Sequence, residues 1–113
     1  MATSRIGTVE RYSTDIRRAV NQSRVLWKKR ALEKMLERGI SRSMVKRAIL
    51  DGQVIESYPD DYPVPSLLMC TLEPEPLHVV LAWNAEADEC HVITAYRPDL
   101  QHFEPGFIRR KQR

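Results

Sequence analysis

The sequence predicts an α+β domain in which N-terminal helices pack on one face of a four-stranded, mainly antiparallel sheet. Apolar residues in the first half recur at helical spacing, and the second half holds four short runs rich in β-branched and aromatic residues. With 113 residues, of which 42% are hydrophobic, the chain is long enough for one modest core. We expect one domain over residues 25–105, preceded by a helical extension at residues 1–24 and followed by a basic tail at residues 106–113 that frays.

The first predicted helix covers about residues 8–20, where four apolar residues recur three or four positions apart: Val9, Tyr12, Ile16 and Val20. The polar residues 21–23 interrupt this spacing. Residues 25–27, with the sequence VLW, then predict a short extended segment that leads into the next helix.

Two shorter helices follow. The second covers about residues 29–38, stops at Gly39 and places on its apolar side Ala31, Leu32, Met35 and Leu36. The third is capped by Ser41, runs to about residue 51 before Gly52, and buries Met44, Val45, Ala48 and Ile49.

Four strands are predicted in the second half, with the sequences VIESY, SLLMCTLE, LHVVLAW and CHVITAY. The segments between them are rich in turn-forming residues, as in PDDYPVP and NAEADE. The run at residues 77–83 is apolar at nearly every position, so we expect it near the middle of the sheet. Cys70 and Cys90 fall within apolar runs and are expected to be buried, reduced thiols.

Charge is distributed unevenly along the chain, although the formal net charge is only +3. Residues 1–50 carry 13 Lys/Arg and 4 Asp/Glu, residues 51–108 carry 1 and 11, and residues 109–113 carry 4 and none. This pattern is typical of a basic surface that meets nucleic acid, and equally of two halves that neutralise each other in the fold. No apolar run approaches the roughly 20 residues that cross a bilayer, and the N-terminus lacks the apolar centre of a signal peptide. We therefore expect a cytoplasmic protein with no membrane partner.

Six basic residues on the second and third helices are the candidate nucleic-acid contacts: Arg30, Lys34, Arg38, Arg42, Lys46 and Arg47. The first three are spaced four apart and form a stripe of like charge, which costs an isolated helix about 0.2–0.5 kcal/mol per pair. A helix pair with this surface is able to contact about six phosphates, with an affinity that falls steeply as salt rises. The alternative is a solvated surface whose charge is partly offset by Glu33 and Glu37.

His78 interrupts the apolar strand at residues 77–83, where an imidazole must find a hydrogen bond or face a cleft. Alternation along the strand places His78 on the same face as Val80 and Ala82, away from the more apolar face. It is therefore either a structural residue or a catalytic one.

The partner of His78 on the next strand depends on the register of the hairpin. If Trp83 pairs with Cys90, Ala95 lies opposite His78. A slip of one residue places Tyr96 there instead. The sequence leaves both registers open.

No metal or cofactor site is predicted. The available side chains lack the close paired spacing of a structural zinc site: Cys70, His78, Asp88, Cys90 and His91. The four glycines are scattered, so there is no glycine loop that cradles phosphate. A serine nucleophile motif is also absent from the sequence.

Four motifs stand in order along the chain: ALEKMLERGIS, GQVIESYPDDYPVPSLLM, PLHVVLAW and ITAYRPD. Together they resemble a family of small bacterial domains of unknown function, over about residues 25–105. The usual pattern of that family is a histidine-alanine pair opening a helix that ends in Arg-Gly-Ile, a Gly-x-Val-Ile-Glu-x-Tyr-Pro strand and a Leu-His-Val-Val strand.

The resemblance implies a fold similar to the RelE-like and BrnT-like toxins, many of which are ribonucleases that work without metal. Carried over by position, His78 matches the strand histidine of the family, Arg38 the arginine of Arg-Gly-Ile, and Tyr96 the strand-end tyrosine. His78 and Tyr96 are therefore the candidate catalytic residues, acting in proton transfer.

The chain departs from the family pattern at two positions. Arg30 stands where the family usually has its helix-opening histidine, and Lys34 stands where an arginine is usual one turn later. Because arginine is not a general base near neutral pH, a catalytic role of that position would leave this chain inactive or able only to bind. If the position binds phosphate, Arg30 serves at least as well, and if it only packs locally, the change has no consequence.

Three functions remain open from the sequence. The first is an RNA-directed domain, a metal-independent endoribonuclease in which Arg30, Lys34 and Arg38 hold phosphate. The second is a non-catalytic interaction module that binds an antitoxin-like protein or self-associates, favoured by the acidic second half and by Arg30. The third is a small-molecule or metal-binding domain, supported only by scattered polar residues. RNA binding that weakens with salt distinguishes the first, and a co-purifying partner distinguishes the second.

Overall fold

A computed structural model describes the backbone of residues 4–111 and the side chains of residues 13–111. Its elements in chain order are α1 (Ser4–Asn21), β1 (Val25–Trp27), α2 (Lys29–Arg38), α3 (Arg42–Asp51), β2 (Gln53–Tyr58), β3 (Ser66–Thr71), β4 (Leu77–Asn84) and β5 (Glu89–Tyr96). The α+β class is confirmed. The side chains of Val9 and Tyr12, predicted on the apolar side of the first helix, lie outside the described residues. Within residues 4–111, no helix combines the length and the apolarity needed to cross a bilayer.

The sheet has five strands in the order β1-β5-β4-β3-β2, so the prediction of four strands is wrong by one. β1 runs parallel to β5, with Val25 opposite Cys90 and Trp27 opposite Val92. The Cys90 N–H also donates to the carbonyl oxygen of Arg24 at 3.0 Å. Three residues are too few to show the alternation that identifies a strand, which is why the sequence indicates only an extended segment there.

The ends of α2 and α3 follow the predicted signals. α2 stops at Gly39, whose φ of 67° lies in the left-handed region that glycine adopts at low cost. α3 begins after Ser41, whose Oγ accepts a hydrogen bond from the Met44 N–H at 3.1 Å. The short connection between these two caps fixes where the C-terminal end of α2 lies.

Leu36 is a correction to the predicted apolar side of α2, because it is 84% exposed. The helix packs against β5 and fully buries only Ala31 and Met35, which are spaced four residues apart. Leu36 is turned about 100° from Met35 around the helix axis, so it faces outward.

The three helices cover one face of the sheet, and one core forms there. The strand β4 supplies to this core the predicted row Leu77, Val79, Leu81 and Trp83, and α1 supplies Ile16, Ala19 and Val20. Cys70 and Cys90 are buried and free, as predicted. Burial raises the pKa of the Cys90 thiol to about 12, so it packs as a neutral group.

The second face of the sheet is partly covered by the chain that follows β5. Phe103 is 2% exposed and forms an isolated β-bridge with Arg110. The Lys111 N–H donates to the carbonyl oxygen of His102 at 2.8 Å. We call residues 102–111 the C-terminal hairpin. These backbone bonds place the first part of the predicted basic tail, as far as residue 111, in a hairpin against the sheet.

Candidate functional site

His78 and Tyr96 lie directly opposite each other on β4 and β5. Trp83 also pairs with Cys90, as one of the two predicted registers requires. Both pairings hold because β5 has a β-bulge at Ile93, which shifts the register by one residue. The two registers that the sequence left open are therefore both present, one on each side of the bulge.

The His78 side chain is fully buried on the second face of the sheet. Its Nε2 lies 2.8 Å from the carbonyl oxygen of Phe107, and its Nδ1 lies 3.3 Å from the Tyr96 hydroxyl. A carbonyl oxygen only accepts, so Nε2 carries the proton, and Nδ1 of the neutral ring accepts from the Tyr96 hydroxyl. The Phe103 ring stands perpendicular to the imidazole, with the centroids 4.5 Å apart.

Burial lowers the pKa of His78 below its ordinary value, and the Phe107 hydrogen bond opposes this only in part. The nearby Arg110 also lowers the pKa of His78, whereas Glu56 raises it. A neutral imidazole is therefore the favoured form near neutral pH. Burial likewise raises the pKa of Tyr96, which keeps its hydroxyl protonated and able to donate to Nδ1.

Tyr96 faces an open cleft of about 620 Å³. We call it the arginine cleft, and it is lined by Arg38, Tyr96, Arg97, Pro98, Asp99, His102, Phe103 and Arg110. Its three arginines come from the end of α2, from the residue after β5 and from the C-terminal hairpin. The cleft is therefore built where these three parts of the chain meet.

Arg38 is held by the edge of β5. Its Nη1 donates to the Ala95 carbonyl oxygen at 2.8 Å and to Thr94 Oγ1 at 3.3 Å. Arg38 makes no ion pair with any side chain of residues 13–111. Its charge is thus fixed in place by neutral acceptors and is not neutralised by a described carboxylate.

Arg97 joins the cleft to the C-terminal end of α2. Its Nη1 donates to the Arg38 carbonyl oxygen at 2.5 Å, and its Nε lies 2.6 Å from Glu75 Oε1. A cation that binds the last carbonyl groups of a helix satisfies their free acceptors and interacts favourably with the helix dipole. Arg97 therefore has a clear structural role besides lining the cleft.

Arg110 reaches the cleft from the C-terminal hairpin. Its Nε lies 2.6 Å from Glu56 Oε2, and its guanidinium lies 5.0 Å from the centroid of the Phe103 ring. Glu56 also accepts a hydrogen bond from the Tyr58 hydroxyl. Since about half of the Arg110 side chain is exposed, solvent and ligands are able to reach it.

The remaining polar pair of the cleft is His102 and Asp99. Nδ1 of His102 lies 2.9 Å from Asp99 Oδ1. This hydrogen bond holds the pKa of Asp99 below its usual value. The carboxylate in turn orients the imidazole, which is exposed at the mouth of the cleft.

The six predicted nucleic-acid contacts do not share one site, and only Arg38 lines the arginine cleft. Arg30 and Lys34 line a groove on the outer side of α2, where Lys34 lies 3.6 Å from Glu37. The others lie on α3 or at its start: Arg42 stands over the Trp27 ring, Arg47 pairs with Asp51, and Lys46 is half-buried.

Sequence reasoning missed three residues of the cleft, namely Arg97, His102 and Arg110. Arg97 follows Tyr96 directly within the ITAYRPD motif, so its place in the sequence was an available signal. Arg110 lies in the predicted basic tail, for which the sequence leaves open a contribution to polyanion binding or none. No local pattern singles out His102, since its position depends on how the chain turns after β5. Within the described part of the chain, no group of three or more His, Cys, Asp or Glu side chains is placed to hold a metal ion.

One family model matches the chain over residues 27–97, and its description is "Domain of unknown function (DUF4258)". No curated protein and no solved structure matches the chain. The matched range contains Arg38, His78, Tyr96 and Arg97, whereas the C-terminal hairpin follows it. The site is therefore made partly by the matched domain and partly by a segment outside the match.

Proposed function

We propose that this chain, which belongs to the DUF4258 family, is an RNA-directed domain that holds RNA phosphate in the arginine cleft and cleaves the chain there without metal. One observation carries the proposal. Arg38, Arg97 and Arg110 line the same cleft as Tyr96, and the Tyr96 hydroxyl is hydrogen-bonded to the buried imidazole of His78. A relation to the RelE-like and BrnT-like toxins, suggested by the sequence motifs, is part of this proposal.

The arginines supply the phosphate-binding part of the proposal. Guanidinium groups recognise phosphate by paired, charge-assisted hydrogen bonds. Of the three arginines, Arg38 is best placed to bind phosphate, because it forms no ion pair with a carboxylate of residues 13–111. In the ion pair of Arg110 with Glu56 the arginine side chain is 53% exposed, so a phosphate is able to compete for that guanidinium.

The pair of Tyr96 and His78 supplies the proton transfer. As the 2′-oxygen of a ribose attacks the adjacent phosphorus, its proton passes to the Tyr96 oxygen, while the Tyr96 proton passes to His78 Nδ1. The bond to the 5′-oxygen breaks, and His102 in its protonated form gives that oxygen a proton. The products are a 2′,3′-cyclic phosphate and a 5′-hydroxyl, and the arginines stabilise the charge that develops on the phosphoryl oxygens.

Arg30 does not line the arginine cleft. The presence of Arg30 in place of the usual family histidine therefore does not remove any side chain that takes part in the proposed reaction. Arg30 and Lys34, on the outer side of α2, extend the positive surface and strengthen the attraction of a longer RNA.

A non-catalytic interaction module is the second candidate, favoured by the 84% exposure of Leu36 on the outer surface of α2. In this case a protein partner, antitoxin-like or a second copy, covers α2 and uses its basic residues for specificity. Co-purification of a stoichiometric partner that Leu36→Asp abolishes is the observation that supports it.

The test of the proposed function is incubation of the purified protein with labelled RNA over a salt series, with retention and cleavage scored separately. We expect Arg38→Ala to weaken retention and Tyr96→Phe to abolish cleavage while retention persists. Arg47→Ala is the matched control, since it removes an arginine that pairs with Asp51 outside the cleft. If no RNA is retained even at low salt, the proposal is wrong.

A further inference from the structure

A second groove lies on the same face of the sheet as the arginine cleft. It has a volume of about 310 Å³ and is formed between β5 and the loop that joins β2 to β3. Tyr62, His91, Ile93 and Lys28 are among the residues that line it. We call it the Tyr62 groove.

The two sites are connected along β5. His91 pairs with Ala82 and Tyr96 pairs with His78, and Ala82 and His78 lie on the same face of β4. His91 and Tyr96 therefore both face the second side of the sheet, about 15 Å apart along the strand. Thr94, which accepts a hydrogen bond from Arg38, lies between them on this face.

The helix α2, which lies beside β5, is about as long as the distance between the two sites. Lys28 is the N-cap of α2 and Arg38 is its last residue, and ten residues of helix span about 15 Å. Lys28 therefore stands at the end of α2 near the Tyr62 groove, and Arg38 stands at the end near the arginine cleft. Lys28 makes no ion pair with the side chains of residues 13–111.

The Tyr62 ring is 94% exposed, and Ile93 is 41% exposed. Asp61 also lines the groove and accepts a hydrogen bond from Ser66, and Glu89 lies 2.9 Å from His91 Nε2. The groove therefore presents the face of the Tyr62 ring and the ammonium group of Lys28, which forms no ion pair with the side chains of residues 13–111. This is the pair of groups by which proteins bind single-stranded nucleic acid, where bases stack on aromatic rings and phosphates meet cations.

We infer that the Tyr62 groove is a nucleobase subsite for single-stranded RNA whose phosphate lies in the arginine cleft. A base a few nucleotides away stacks on Tyr62, and Lys28 contacts the phosphate beside that base. The inference rests on the proposed function and deepens it, since it makes the substrate single-stranded and longer than a dinucleotide. Stacking does not depend on the hydrogen-bonding groups of the base, so the subsite tolerates different bases.

The experiment compares a fluorescein-labelled hexauridylate with a labelled diuridylate by fluorescence anisotropy at low salt. We expect Tyr62→Ala to weaken hexauridylate binding about tenfold, the effect typical of losing one stacked base. It should leave diuridylate binding unchanged, because the shorter RNA does not reach the groove. Tyr62→Phe keeps the ring and should bind both RNAs like the wild type. Since Tyr62 is exposed, none of these changes should disturb folding.

The outcomes separate the two proposals. Hexauridylate binding that is lost in Arg38→Ala but is unchanged in Tyr62→Ala overturns the subsite alone. No binding of either RNA by the wild type overturns the subsite together with the proposed function. A dimer of the wild type that Tyr62→Ala converts to a monomer, seen by sedimentation, also overturns the subsite, because a second copy would then cover the groove.

Discussion

The hydroxyl of Tyr96 lies 3.3 Å from Nδ1 of His78, and the bulge at Ile93 is what brings the two side chains opposite each other. The C-terminal hairpin closes this pair on its other side, through the Phe107 carbonyl oxygen at 2.8 Å from Nε2. His78 is therefore saturated with hydrogen bonds and does not itself reach the arginine cleft. Any chemistry that it performs passes through Tyr96.

The first prediction concerns the pH dependence of stability. Burial places the pKa of His78 in the folded protein below the ordinary value of 6.5. Below pH 6.5 the unfolded chain therefore binds protons more readily than the folded one. The contribution of His78 to stability is complete above pH 6.5 and is lost as the pH falls from 6.5 to the lower pKa of the folded state. Urea unfolding at several pH values measures this loss.

The variant that checks this prediction removes the imidazole of His78. His78→Gln should flatten the pH dependence between pH 6.5 and the lower pKa of folded His78. Equal slopes for the wild type and His78→Gln would show that the imidazole is not held neutral by burial.

Local sequence signals were sufficient for much of this fold. Gly39 and Ser41 mark helix ends because a left-handed turn and a side-chain cap each depend on one residue and its neighbours. The alternation of β4 likewise placed His78 on the correct face. The strand β1 was missed, because its pairing with β5 is parallel and joins residues far apart in the sequence.

The arginine cleft was less predictable for a related reason. Arg38, Tyr96 and Arg110 come from three separate parts of the chain, and their approach depends on tertiary packing. The bulge at Ile93 carries no glycine or proline that would indicate it. The resemblance to a family singled out Arg38, His78 and Tyr96 by position, and no motif extended to the hairpin that completes the site.

The second prediction compares two adjacent residues on α2. Met35 is 2% exposed and Leu36 is 84% exposed, although helical periodicity placed both on the apolar side. Met35→Ala should lower the free energy of unfolding by about 2–5 kcal/mol, because it leaves a cavity in the core. Leu36→Ala should change it by less than about 0.5 kcal/mol. Denaturant unfolding of both variants measures the difference, and equal losses would mean that Leu36 is covered in solution.

The third prediction concerns Gly52, the residue that ends α3. A Cβ at this position would lie 2.3 Å from the Ala48 carbonyl oxygen and 2.6 Å from that of Cys70. Both atoms belong to the backbone, so α3 and β3 would have to move apart. Gly52→Ala should therefore lower the free energy of unfolding by about 1–3 kcal/mol through overpacking.

Gly39→Ala is the control for this change. Among the described residues, and apart from its chain neighbours and its own helix backbone, nothing lies within 4 Å of a Cβ built at Gly39, so its positive φ is what opposes the substitution, at about 1 kcal/mol. Thermal unfolding should rank Gly52→Ala as the less stable variant. The reverse order would show that the contact between α3 and β3 at Gly52 is looser than the structure indicates.

The fourth prediction uses two neighbouring arginines of the tail and rests on the proposed function. Arg110 is bound to Glu56 and lines the arginine cleft, whereas Arg109 is exposed outside it. Arg110→Ala should weaken RNA binding and reduce the slope of log affinity against log salt by about one, the effect of losing one phosphate contact. Arg109→Ala removes the same charge and should have a smaller effect. Equal effects of the two variants would mean that the tail attracts RNA only by its net charge, and that Arg110 does not bind phosphate within the cleft.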